Sequence, residues 1–216
     1  MNIRLGIYEI FSRIVPGGLY IFAVGQFLAV LGLLDIDLQD INNLSIISSI
    51  GAIIIAYILS EVFDRFALIW FRIFGKRGIS TRILASFKNK HQQQWELKFD
   101  DKDLPILIAY IRIRDLELAG EIERHNAISI MLRNISLGLL MITTNTVIIF
   151  ANSRNFTYLI AGLILFIFSI IIVRESIKFR QWFYSSIFET VVAYRLDLEK
   201  IVQPIAATTN RHSKKK

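Results

Sequence analysis

The chain has 216 residues, of which 54% are hydrophobic and only 20% charged, a balance too apolar for an ordinary soluble domain of this length. It contains no cysteine, which excludes disulfide frameworks, thiolate metal sites and cysteine nucleophiles. The net charge of +7 suits either nucleic acid or anionic lipid, and the positions of the cations decide between them.

A helix crosses the hydrocarbon core in about 20 residues, because it rises about 1.5 Å per residue through about 30 Å. Four uncharged runs reach that length: Ile14 to Leu34, Ile41 to Ser60, Asn134 to Ser153 and Asn155 to Val173. Glu9 precedes the first closely and no small-x-small cleavage pattern follows it, so it reads as a retained span rather than a secretory signal. Pro16, Gly17 and Gly18 sit where this helix enters the bilayer, and a kink there would let Met1 to Arg13 lie along the surface. Within span one, Gly18, Gly25 and Gly32 recur with Ala29 beside them, and span two offers Ser49, Ala52, Ala56 and Ser60. These small faces predict close packing within the subunit, with oligomerisation as the second reading.

After span two the run EVFDRFALIWFRIFGKR holds no Pro or Gly until Gly75, so its helix is expected to continue beyond the bilayer. KNKHQQQWELKFDDKD reads as a loop with at most a short strand around Trp95 to Phe99. From Leu104 a helical pattern places Leu107, Ile108, Ile111 and Leu118 on one side, and Gly120 is expected to interrupt it before a second helix that begins near Glu121 and enters span three. Beyond span four, Ile177, Tyr184, Ile187, Phe188, Val191, Tyr194 and Leu198 form one face of an amphipathic helix, and Lys178, Gln181, Ser185 and Glu189 another. The resulting organisation is an N-terminal surface helix and first transmembrane hairpin (1–62), a basic cytoplasmic cap (63–130), a second transmembrane hairpin (131–173), an amphipathic cytoplasmic helix (174–203) and a disordered basic tail (204–216). The fold class is all-α, with four spans in two tandem hairpins.

Lys and Arg near span ends stay on the cytoplasmic side. Of the 25 cations, 24 lie before span one, between spans two and three, or after span four, and Arg154 alone lies on the other side. The expected location is therefore the cell (inner) membrane, multi-pass, with N and C termini cytoplasmic. The cations concentrate in an aromatic belt, Arg65, Arg72, Lys76, Arg77 and Arg82 after span two and Arg174, Lys178 and Arg180 after span four. Such a belt anchors topology, and as a basic pocket it would hold an anionic phospholipid headgroup.

Inside the spans the strongly polar residues are Gln26 and Asn145, the latter among Thr143, Thr144 and Thr146. They are candidates for an interhelix bond or for a polar pore in an oligomer. No charge sits in the middle of a span, which argues against an ion-coupled carrier. Glu121 and His125 stand one turn apart but lack further ligands at matching spacing, so juxtamembrane ion pairing is the simpler reading. No phosphate loop, nucleophile elbow or zinc motif is present. Neither catalytic residues nor a metal or cofactor are expected, and the chain reads as a non-enzyme.

FSRIVPGG at the entry to span one, the tandem hairpins, the basic middle cap and the extension FRQWFYSSIF together resemble the small membrane effectors of prokaryotic antiviral systems. The membrane subunits that accompany short prokaryotic Argonautes are the nearest, and the membrane subunit of the Kiwa system is second. The resemblance implies a protein held inactive until a cytosolic sensor, such as an Argonaute-type complex, activates it to depolarise or permeabilise the membrane. Its partners would be anionic phospholipid, that sensor and further copies of itself, without direct nucleic-acid binding. A small oligomeric channel or transporter built around Gln26 and Asn145 is the alternative.

Overall fold

The structure, a computed structural model, describes residues 3–34, 46–75, 78–91 and 100–194. These residues form six α-helices: α1 (Ile3–Val30), α2 (Ile46–Phe74), α3 (Ile79–His91), α4 (Leu104–Arg114), α5 (Leu116–Ser153) and α6 (Phe156–Ala193). Among the described residues there is no strand. Three helices, α1 from Ile10, α5 and α6, are long and apolar enough to cross a membrane. The fourth expected span, Ile41 to Ser60, begins outside the described residues, as do Lys76, Arg77, the strand at Trp95 to Phe99 and the tail.

Helix ends follow from local chemistry. At the end of α1 the Gly32 N–H donates to the Ala29 carbonyl at 3.0 Å and the Leu33 N–H to the Leu28 carbonyl at 3.0 Å, with Gly32 at φ 69°. That is a Schellman closure, and it needs a residue that tolerates the left-handed region. Between α5 and α6 the link is Arg154-Asn155: Arg154 takes φ 57° with its N–H on the Phe150 carbonyl at 2.8 Å, and Asn155 Oδ1 accepts the Thr157 N–H at 3.0 Å as the cap of α6. Pro16 lies inside α1, which continues through it as one helix.

The chain divides into two compact units. The first, Met1–Arg77 with Glu123–Arg180, holds α1, α2 and the apolar lengths of α5 and α6. Of the three helices of membrane-crossing length, α5 is the most buried, over 39% of its apolar window against 22% for α1 and 17% for α6. α1 meets α2 at Gly17 and Tyr20, so closely that a Cβ on Gly17 would stand 1.8 Å from the Ala56 carbonyl oxygen. Of the glycine stripe expected at Gly18, Gly25 and Gly32, the first and last do not make this contact. A Cβ on Gly18 or Gly32 would meet no neighbouring group within 4 Å, and Gly32 serves the cap instead. On α2, Ala56 and Ser60 are buried as expected, whereas Ser49 and Ala52 are exposed. The buried face of α1 is set by the ring of Tyr20, tilted against Phe63 with centroids 4.9 Å apart, rather than by the glycine spacing.

The second unit, Gly78–Ile122 with Gln181–Lys216, has its own apolar core of Leu84, Leu107, Ile111, Ala119, Ile122, Phe183, Ile187, Phe188 and Val191. The last four come from α6, so the amphipathic face read beyond span four closes this core. Lys88 to His91, expected in a loop, instead complete α3. The break expected at Gly120 also falls elsewhere, since α5 passes through that glycine and starts after Asp115. Asp115 Oδ1 accepts the N–H groups of Leu118 at 3.0 Å and Glu117 at 3.1 Å, an N-cap strong enough to fix the start of the helix. Its Oδ2 accepts the Tyr194 hydroxyl at 3.2 Å, and the Arg114 guanidinium lies 4.7 Å from the Tyr194 ring centre.

The Leu118 bond holds the Asp115 carboxyl below its ordinary value, aided by Tyr194 and Glu117 against a smaller opposing effect of burial. A depressed carboxyl contributes stability above its unfolded value of about 3.9 and loses it as pH falls through the folded value. Asp115→Ala is therefore expected to lower the protection factors of the Glu117 and Leu118 amides at pH 7, and acid is expected to lower them in the wild type. Equal protection in the variant would assign the helix start to packing alone.

Candidate functional site: the polar fasteners and the cationic belt

Polar side chains in the first unit meet across helices at three depths. At one, Asn145 of α5 donates through Nδ2 to the Ala23 carbonyl of α1 at 2.7 Å and to Gln26 Oε1 at 3.4 Å. The two polar residues singled out from the sequence are thus brought together in an interhelix bond. Thr143 and Thr144 return their hydroxyls to the Leu139 and Leu140 carbonyls, and Thr146 to that of Thr143.

At the next, α5 and α6 are joined by two serine pairs. Ser136 donates to the Ser169 carbonyl at 2.8 Å and Ser169 to the Ser136 carbonyl at 2.8 Å. Ser129 and Ser176 repeat the exchange at 2.9 and 2.7 Å. The serines lie seven residues apart on each helix, which keeps them on one seam of an antiparallel pair, and such small side chains let the backbones approach. That repeat, present in ISIMLRNIS and SIIIVRES, is a sequence signal that the glycine and alanine stripes overshadowed. Ser136 also accepts the Trp70 indole N–H at 2.8 Å. Ser136→Ala is expected to lower stability by about 1 kcal/mol more than Ser129→Ala, since it leaves a partly buried indole without its acceptor. Thermal unfolding of the two variants in the same detergent measures the difference.

The third contact carries charge. Asp64 of α2 accepts from Arg133 Nη2 at 2.6 Å and from Asn134 Nδ2 at 3.0 Å, both on α5, and lies 3.1 Å from Arg13 Nη1 of α1. Glu61 stands 3.3 Å from the same Arg13 nitrogen, with a side chain that is 60% exposed. The Tyr20 hydroxyl donates to the Asn134 carbonyl at 2.9 Å. Three helices therefore converge on one carboxylate, a constellation that the sequence reading did not find.

The belt residues are more dispersed. Arg65 and Arg72 are exposed on α2 beside the apolar side chains of Val62, Phe66, Ile69 and Ile73, and Arg174 is exposed on α6. These three make no ion pair with any described residue. Lys178 is exposed and pairs with Glu175 at 2.6 Å, Arg180 reaches Asn126, and Arg82 belongs to the second unit. Long side chains beside exposed apolar surface suit a headgroup boundary. Among the described residues no group of three or more His, Asp or Glu side chains gathers as a metal would require.

The length and composition of three of the described helices mark the chain as a helical membrane protein. No family model, no curated protein and no solved structure matches the chain.

Proposed function

We propose that the chain is a four-span, non-enzymatic membrane effector or receptor subunit. Its two hairpins sit in tandem in the cell (inner) membrane, both termini are cytoplasmic, and it belongs with the membrane effectors of prokaryotic defence systems. It engages anionic phospholipid through the cationic belt and a cytosolic sensor, of Argonaute-complex type, through the second unit, and it depolarises or permeabilises the membrane on activation, as an oligomer. The observation that carries this reading is the pairing of a lipid-suited bundle with a separately cored unit, α5 and α6 contributing residues to both. The bundle exposes Phe22, Phe27, Ile54, Ile160, Leu163 and Phe168, large apolar side chains that suit contact with acyl chains. The bond between Asn145 and Gln26 favours this reading over a channel lined by those two residues, because their polar groups face each other.

In cells that also carry the partner and its trigger, activation is expected to collapse membrane potential, as read by a voltage-sensitive dye, before any soluble metabolite or nucleic acid is consumed. Reversing Arg65, Arg72, Arg77, Arg174 and Lys178 to Glu together should suppress the collapse. Suppression by Gln26→Leu with Asn145→Leu instead would favour the channel, and a constant potential under full activation would leave only a membrane anchor.

A further inference from the structure

The cluster where α1, α2 and α5 converge on Asp64 leaves several buried polar atoms unpaired. Arg13 and Arg133 bring two guanidinium groups to it, with side chains only 18% and 12% exposed, while Asp64 is the one carboxylate held close to both. Glu61 lies at the exposed rim, where water screens it. Arg13 Nη1, though within ion-pair distance of both carboxylates, makes an aligned hydrogen bond to neither. Arg133 Nε, the Ser60 hydroxyl and Asn134 Oδ1 are also buried without a hydrogen-bond partner, and Ser60 and Asn134 are themselves 0% exposed. Ser60 lies one turn before Asp64 on α2. Buried polar groups are almost always paired, so three unpaired donor groups beside one unpaired acceptor mark a place for an absent polar ligand.

Depth selects its source. Arg13 stands immediately before Ile14 and Arg133 immediately before Asn134, the cytoplasmic ends of spans one and three in the proposed topology. That is the level of phospholipid phosphates. We propose that Arg13, Arg133 and Ser60 bind one phosphodiester of an anionic phospholipid, its oxygens accepting from Arg13 Nη1, Arg133 Nε and the Ser60 hydroxyl. Asn134 Oδ1 then faces the headgroup and accepts from a glycerol hydroxyl. The site rests on the proposed orientation but is separate from the belt, and it bridges the first hairpin to α5.

Native mass spectrometry of the full chain in detergent with phosphatidylglycerol tests it. The wild type should retain one lipid through delipidation, and so should the triple variant Arg65→Gln, Arg72→Gln, Arg174→Gln. Arg13→Gln should weaken retention about tenfold, and Arg13→Lys should restore most of it, which a folding defect would not allow. Asp64→Asn, which removes the resident carboxylate, should retain lipid more tightly. Undiminished retention by Arg13→Gln overturns the site. Loss in the triple variant with retention in Arg13→Gln also overturns it while leaving the belt standing, and displacement by equimolar inorganic phosphate overturns the lipid assignment.

Discussion

Asp64→Ala is expected to be the most damaging single substitution in the membrane bundle, lowering stability by about 3 to 5 kcal/mol. The carboxylate lies 2.6 Å from Arg133 and 3.1 Å from Arg13, and both guanidinium groups are largely withdrawn from water. Its removal leaves two like charges close together, one of them without any remaining carboxylate, and deprives Asn134 of its acceptor. Desolvated charge without a partner costs far more than the pair itself contributes. Adding Arg133→Met to Asp64→Ala should recover part of the loss by removing one stranded charge. Denaturation of the purified chain in mixed micelles, monitored by tryptophan emission, gives the comparison. A loss under about 1 kcal/mol for Asp64→Ala would mean that water already reaches the cluster.

Gly17→Ala should be nearly as severe, and Gly18→Ala should not matter. A methyl on Gly17 would meet the backbone oxygen of Ala56 at 1.8 Å and its carbonyl carbon at 2.3 Å, and neither can rotate aside as a side chain would. The helices must separate along their whole contact, which loosens Tyr20 against Phe63 and costs about 1 to 3 kcal/mol or more. A methyl on Gly18 would meet no neighbouring group within 4 Å, and alanine there improves helix propensity. Thermal melting of the two variants in one detergent separates them by sign. Equal losses would return the glycine stripe read from the sequence to the interface.

The difference between those adjacent glycines shows where sequence reading ended. Long apolar runs made the membrane helices legible, because a helix in lipid must be apolar over its full length whatever it packs against. The same reasoning carried α2 through to Phe74 and α6 to Ala193 without a Pro or Gly to stop them. Which face of α1 turns inward is a tertiary matter, decided by Tyr20 and by the depth at which Ala56 arrives. Gly120 shows a propensity overridden in the opposite direction. One glycine costs an exposed helix about 1 kcal/mol, which the Asp115 cap and the packing of Ala119 and Ile122 offset.

Of the site, Gln26 and Asn145 were readable because polar residues in an apolar span stand out. Their partnership was not, since it joins helices 119 residues apart in the chain. Asp64 was harder still. It sits in EVFDRF among charged neighbours that suggest a solvated face, and its partner Arg133 lies 69 residues away where a topology anchor is equally natural. No local period links the two. Only the serine repeat was fully present in the sequence, as equal spacing on two helices that a two-residue link forces to run antiparallel.

The central proposal is that the chain crosses the membrane four times with 24 of its 25 cations on the cytoplasmic side. Reporter fusions after Asp40, after Lys90, after Asn155 and at the C-terminus test it most directly, because each samples a different loop of the proposed topology. The fusions after Asp40 and Asn155 are expected to read as external, and those after Lys90 and at the C-terminus as cytoplasmic. A cytoplasmic signal after Asp40 would contradict the account, since the first hairpin would then not cross the membrane.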